Sequence, residues 1–221
     1  VKRVGAITIG QTPRDDIVAE MEHVLGADVR IVQAGALDGL SRSEIDALAP
    51  DPHDVDALIT HLRDGANLLV AKRRIVPRLQ ACLDRLADEV DAFAVLCAGV
   101  FPPFTSRRPV LLPERCLAAV VDAVFDGRRL GVIVPIKEQQ ASSAERWARV
   151  DPGVVVTVAS PYDEPARLVA AAEELQRARV SLVVLECQGF TGAMKKVVRE
   201  VTSAPALLPT TVLAHFLAEL T

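Results

Sequence analysis

Apolar residues along this chain recur with two different periods, and the two alternate. Short, nearly uninterrupted apolar runs occur at Val4–Ile9, Ala92–Cys97, Leu130–Pro135 and Leu182–Leu185, with weaker ones at 28–33, 68–70, 154–158 and 207–208. Runs of this length, rich in Val, Ile and Leu, predict strands buried on both faces. Between them, stripes at helical spacing predict amphipathic helices, such as Ile17, Val18, Met21, Val24 and Leu25, or Ile75, Leu79, Cys82, Leu83 and Leu86. Similar stripes over 117–125, 168–175, 191–201 and 212–220 accompany the later strands. Strand alternating with helix predicts a mostly parallel, doubly wound α/β arrangement.

The pattern restarts at Leu130, which predicts two pseudo-symmetric lobes, each a mostly parallel sheet flanked by helices. The expected partition is 1–110 plus 207–221 for the first lobe, with the C-terminal helix packed back on it, and 111–206 for the second. The first lobe carries an insertion from about Leu40 to Arg74. Two short helices are expected there. One is capped by Ser41 with Glu44 following; the other starts at Asp51, buries Val55, Leu58, Ile59 and Leu62, and stops at Gly65. Lys72-Arg73-Arg74 then forms a basic strand-to-helix turn, either solvated or an anion clamp. Thr12-Pro13-Arg14-Asp15 reads as a helix start, with Thr12 as N-cap and Pro13 first. Arg14 would then sit in the first turn, where a cation opposes the helix dipole unless it holds an anion.

Half of the 221 residues are hydrophobic and 24% are charged, so a substantial core is available. The net charge of −4 and an aromatic content of 4% argue against a nucleic-acid surface or stacking platform. No uncharged apolar run approaches the roughly 18 residues of a membrane span, and the first run is too short for a signal sequence. The four cysteines show no C-x-x-C and no Cys/His zinc spacing. In a chain able to build a core they are expected as free thiols in a reducing cytoplasm. Cys82 and Cys116 fall in expected helices and read as packing residues. His23, His53, His61 and His215 also fall in expected helices, which leaves a Cys-His dyad unsupported. G-x-S-x-G, P-loop and G-x-G-x-x-G motifs are absent.

Two turns remain to be explained. Val95-Leu96-Cys97-Ala98-Gly99-Val100-Phe101 and Val184-Leu185-Glu186-Cys187-Gln188-Gly189-Phe190 both run from an apolar strand into a thiol and then a glycine. Strand ends of α/β sheets are where ligands bind, so both thiols are expected at one cleft. Inverting a carbon centre next to a carboxylate without a cofactor takes one base on each face. A thiol, with a pKa of about 8.5 that its surroundings shift readily, suits both roles. Gly99 and Gly189 stand where a tight turn would aim backbone amides at the sulfur. Glu186 adjoins Cys187 but belongs to the opposite face of its strand and receives no catalytic role.

Thr8-Ile9-Gly10-Gln11-Thr12-Pro13-Arg14-Asp15, Cys97-Ala98-Gly99-Val100-Phe101-Pro102, Gly131-Val132-Ile133-Val134-Pro135 and Cys187-Gln188-Gly189-Phe190 together resemble the AroM family. The likeness extends through Ser160-Pro161-Tyr162 and Lys72-Arg73-Arg74. AroM proteins look like distant members of the aspartate/glutamate/hydantoin racemase superfamily. That resemblance implies two α/β lobes around a cleft, one cysteine from each, and neither metal nor organic cofactor. It matches Cys97 and Cys187 to the two thiols and Arg14 to the first-strand loop that meets substrate. The racemases' Cys-Asn-Thr and Cys-Thr turns are replaced here, with Ala98 and Gln188 beside the thiols.

The expected function is therefore a cofactor-independent racemase or epimerase of a small carboxylate or amide-like compound. Cys97 and Cys187 would form the acid/base pair, Arg14 the carboxylate anchor and Arg73 a second anchor. Gln11, Thr12, Gly99, Tyr162 and Gly189 would line the cleft. A one-thiol isomerase or decarboxylase is the enzymatic alternative, and a ligand-binding or regulatory module without turnover the other. A small molecule is the expected partner, with nucleic acid and membrane excluded and self-association left open.

Overall fold

In the computed structural model, which describes residues 1–52, 54 and 57–221, the doubly buried runs become parallel strands. The first half reads β1 (Lys2–Thr8), α1 (Asp15–Leu25), β2 (Val29–Gly35), α2 (Arg42–Asp46), β3 (Ala57–His61), β4 (Asn67–Ala71), α3 (Lys72–Leu86), β5 (Ala92–Leu96), β6 (Val110–Leu111) and α4 (Pro113–Val124). The second reads β7 (Leu130–Val134), α5 (Gln140–Trp147), β8 (Val155–Val158), α6 (Pro165–Arg177), β9 (Leu182–Leu185), α7 (Gly192–Thr202), β10 (Ala206–Leu207) and α8 (Pro209–Ala218). One sheet has the order β2-β1-β5-β6 and the other β8-β7-β9-β10, every pair parallel. Both sheets thus repeat one strand order. In each, the chain leaves the first strand to one side and returns on the other, between β1 and β5 and between β7 and β9. Open α/β sheets bind ligands at the carboxyl ends of strands flanking such a reversal.

Strand alternation sorts the cores. Val4 and Ala6 of β1, with Ala92, Ala94 and Leu96 of β5, face α1 and α8. Ile7, Phe93 and Val95 face α3 instead. In the second sheet Leu130, Val132 and Val184 meet Trp147 of α5 and Leu117 and Val121 of α4, while Ile133, Val183 and Leu185 meet α6 and α7. Two helices are exchanged between the lobes. α4 follows the last strand of the first sheet yet packs on the second. α8 follows the last strand of the second sheet, yet its Leu213, Ala214 and Leu217 pack on the first beside Ile17 and Met21.

The insertion differs from its expected form. Where a second short helix was expected, β3 and β4 form an antiparallel hairpin with Leu58 opposite Val70 and Thr60 opposite Leu68. Leu58 and Leu62 fit a helical stripe, but Leu58, Thr60 and Leu62 are all buried and alternate with a period of two. That period prevails, aided by the β-branched Ile59 and Thr60 and by Gly65, whose φ of +86° lets the chain turn back. His53 and Val55 of the expected helix lie outside the described residues. α1 begins at Asp15 with Arg14 as its N-cap, not Thr12. The Thr12 hydroxyl instead donates to Asp38 at 2.7 Å, and the Thr12–Pro13 peptide is cis. α3 begins at Lys72, so the three cations form its first turn. Among the described residues no helix is long and apolar enough to cross a membrane.

Because α8 covers the first sheet but grows from the second, the two lobes are expected to unfold together. Leu217→Ala should cost about 2–5 kcal/mol and still give one urea transition, followed by circular dichroism. Two separated transitions would contradict the exchanged-helix account.

Candidate active site

β5 and β9 end at Leu96 and Leu185, and the residues that follow leave the sheet edge. Cys97 continues the face of Phe93 and Val95, and Cys187 that of Val183 and Leu185. Both thiols line one cavity of about 30 Å³, joined by Ile9 just past β1 and Pro135 just past β7. The ends of the four central strands therefore meet around a single volume. The backbone amides of Gly99 and Gly189 favour the charged forms of Cys97 and Cys187. Other groups press on both positions, most closely on Gly189. A Cβ at Gly99 would stand 2.9 Å from Leu58 Cδ2, and one at Gly189 only 2.5 Å from the Tyr162 hydroxyl.

Arg14 lies in the same lining with 6% of its surface exposed. Its backbone amide donates to Gln33 Oε1 at 2.7 Å. Its Nε and Nη2 donate to Asp16 at 2.9 and 2.7 Å, and Nη2 also reaches the Tyr162 hydroxyl at 3.2 Å. Nη1 has no partner among the described residues. Burial opposes the guanidinium charge, but the Asp16 and Tyr162 interactions outweigh it and hold its pKa above the ordinary value. Burial also acts against the Asp16 charge, yet the Arg14 bonds keep its carboxyl below the usual range.

Burial pushes the Cys97 thiol up to about 12, and the neighbouring Cys187 pushes in the same direction. Gly99, Lys72 and Arg14 pull it partly back. Cys187 is pushed by burial to about 11, with Gly189 and Arg14 opposing. Tyr162 is raised by burial and then by Cys187, so its hydroxyl stays protonated. In this closed arrangement both sulfurs are thiols at neutral pH.

Tyr162, Gly99 and Gly189 stand in the cavity lining; Gln11, Thr12 and Arg73 do not. Gln11 accepts from the Arg63 backbone amide at 3.1 Å, and Thr12 is taken by Asp38. Arg73, expected as a second anchor, points to Asp51 at 2.5 Å and Asp54 at 2.6 Å and does not line the cavity. The acidic residues before the hairpin claim it.

The structure also brings in residues that the sequence reading passed over. His61, expected in a helix, sits on β3 and stacks on Tyr162, centroids 5.0 Å apart and planes at 14°. Gln139 donates to the Ala57 carbonyl at 3.1 Å, tying the hairpin to the second lobe. Glu186 does point away from Cys187's core face. Its buried carboxylate accepts from Ser143 at 2.7 Å, from Trp147 Nε1 at 2.5 Å and from Arg146. The Leu58-x-Thr60-x-Leu62 alternation was the signal that could have placed His61 on a strand.

Two parallel sheets of equal strand order, with a thiol at each sheet edge around one cavity, make a two-lobed α/β protein. A model of the AroM protein family matches residues 4–221, so the chain belongs to the AroM family. No curated protein gives a significant match. Among solved structures the chain is similar to an allantoin racemase from Pseudomonas fluorescens, with TM-score 0.63 and 14% identity over 98% of this chain and 89% of that one. A glutamate racemase from Aquifex pyrophilus gives TM-score 0.61 and 15% identity, covering 99% of this chain and 84% of that one. A maleate cis-trans isomerase from Nocardia farcinica gives 0.64 and 14%, covering 100% and 92%. At these identities the likeness is one of fold.

The raised thiols have a consequence for stability. In the range between the ordinary thiol value of 9.0 and the folded values of about 11 and 12, the unfolded chain binds fewer protons than the folded one. The thiols' contribution to stability is therefore constant below about pH 9 and falls as pH rises from there through the folded values. The Cys97→Ser/Cys187→Ser protein should show a shallower alkaline decline in urea unfolding, with Cys82, Cys116 and Tyr162 contributing to the remainder. Equal slopes would show that the two thiols are not held protonated.

Proposed function

We propose that this protein is a cofactor-independent racemase or epimerase of a small carboxylate or amide-like compound. What carries the reading is the single cavity lined by a thiol from each lobe and by Arg14. In this mechanism the substrate carboxylate takes the free Nη1 of Arg14, and its α-carbon lies between the two sulfurs. One sulfur, as thiolate, removes the α-proton. The other, as thiol, delivers its proton to the opposite face, and the roles reverse in the other direction. The carbanion's charge spreads onto the carboxylate, where a fixed guanidinium stabilises it more than it did the ground state. The glycine amides assist whichever sulfur is charged.

A cavity of about 30 Å³ has roughly the volume of one water, so admitting substrate requires a wall to move. The hairpin is that wall in this proposal. It is a separate two-stranded sheet, and Leu58 and Ile59 line the cavity. It meets the second lobe through the His61–Tyr162 stack and the Gln139–Ala57 bond.

The test is proton exchange. Chiral α-amino and α-hydroxy acids and their amides, incubated with the protein in D₂O, should acquire deuterium at the stereocentre and lose optical activity. Either Cys97→Ser or Cys187→Ser should slow inversion by about 10²–10⁴-fold. Turnover that survives Cys97→Ser but not Cys187→Ser would indicate the one-thiol mechanism instead. Saturable binding without any exchange would make the protein a ligand-binding module. In a separate arm, Arg14→Lys loses the planar fork and should raise KM about tenfold or more; an unchanged KM would remove Arg14 as the anchor.

A further inference from the structure

The loop between β1 and α1 carries Arg14, and two side chains fix its backbone. Gln33 of β2 takes the Arg14 amide at 2.7 Å. Asp38, in the turn after β2, takes Thr12 twice, its amide at 2.9 Å and its hydroxyl at 2.7 Å. That turn fixes Asp38 in its own right. Its Oδ2 accepts from the Gly35 amide at 2.8 Å, and its amide donates to the Gly35 carbonyl at 3.1 Å. The Leu37 amide donates to the Gly10 carbonyl at 3.0 Å, so turn and loop run side by side. The same carboxylate also meets the hairpin. Arg63, just past β3, donates from Nη2 to Asp38 Oδ1 at 3.0 Å and from Nε to the Thr12 carbonyl, while its amide donates to Gln11 Oε1 at 3.1 Å. Asp38 is thus shared between the loop that bears Arg14 and the hairpin, and both grip Thr12. The Arg63 side chain is 53% exposed and that of Asp38 23%. A pair so open to water adds little to stability; what its bonds fix is position.

We infer that Asp38 is a positioning residue for Arg14, and that through Arg63 it makes closure of the hairpin and placement of the anchor a single event. The inference rests on the reading of Arg14 as the carboxylate anchor and of the hairpin as the moving wall. When the hairpin swings away, Thr12 and Asp38 both lose the Arg63 guanidinium, and the loop is left to Asp38 and Gln33. When it shuts, Arg63, Asp38 and Thr12 lock together two residues before Arg14, while Tyr162 meets the Arg14 guanidinium from the second lobe. The anchor is therefore set as the wall closes over the substrate.

Hydrogen exchange of the intact protein, read by mass spectrometry on peptides from the loop (9–16) and the hairpin (57–71), tests the link. Gln139 holds the Ala57 carbonyl, at the end of β3 opposite to Arg63. Gln139→Ala should raise deuterium uptake in the hairpin about two- to tenfold, the factor expected of one hydrogen bond, and the loop should follow. Added to Arg63→Ala or to Asp38→Asn, it should still loosen the hairpin but leave the loop's uptake where the single variant set it. Independent weakenings would add instead. A loop that stays unchanged while the hairpin loosens, a loop that still follows in both backgrounds, or a hairpin that Gln139→Ala does not loosen would each overturn the inference. For an acid that the protein inverts, Asp38→Asn should raise KM about two- to tenfold, although Asp38 lies outside the lining of the thiol cavity; an unchanged KM would overturn the positioning role. The exchange experiment needs no turnover. A protein whose two segments move together but which inverts no acid keeps the coupling and loses the racemase reading; the reverse result does the opposite.

Discussion

Parallel strands all finish at the same edge of their sheet, and the architecture follows from that constraint. Once two such sheets pack with their carboxyl edges toward each other, whatever follows the central strands is delivered to one place. Here β5 and β9 deliver Cys97 and Cys187, while β1 and β7 deliver Ile9 and Pro135. Because side chains alternate along a strand, each sulfur continues one core face, and Glu186 is sent to the other. There it becomes the buried anchor of α5 through Ser143, Arg146 and Trp147. One sheet edge thus holds a chemical group on one side and a structural one on the other.

The cavity is closed by contacts that cross between the lobes, few of them among the described residues. Arg14 reaches Tyr162, His61 stacks on the same ring, Gln139 holds Ala57, and Glu20 of α1 accepts from the Gly192 amide at the start of α7 at 3.0 Å. A neutral hydrogen bond contributes about 0.5–1.5 kcal/mol net, and an aromatic pair about as much. Together these four contacts contribute on the order of a few kcal/mol, a magnitude comparable to a ligand's binding energy. The exchanged helices, by contrast, bury whole apolar faces and keep the lobes joined.

Much of this was legible in the sequence because the strands are buried on both sides. Val4–Ile9, Ala92–Cys97, Leu130–Pro135 and Leu182–Leu185 have no polar face to blur their identity, and the thiol turns stand at their ends. The hairpin was misread because Leu58 and Leu62 satisfy both periods, and only the burial of Thr60 between them decides for a strand. The loop before α1 was misread for a related reason. Thr12 has the chemistry of a cap, yet the carboxylate of Asp38, far along the chain, offers its hydroxyl a stronger partner. Arg73 shows the limit of reading charge locally. Three consecutive cations suggest an anion clamp until Asp51 and Asp54 are seen to claim the middle one.

The crossing of α4 and α8 also bears on how such a chain could be divided. A polypeptide carrying only the first sheet and its own helices would leave bare the surface on which Leu213, Ala214 and Leu217 now rest. Its α4 would meanwhile project Leu117 and Val121 with nothing beneath them. Those two defects are complementary. A half-length molecule could repair both by trading that helix with an identical copy, so the single chain has the connectivity of a swapped dimer whose subunits were fused end to end.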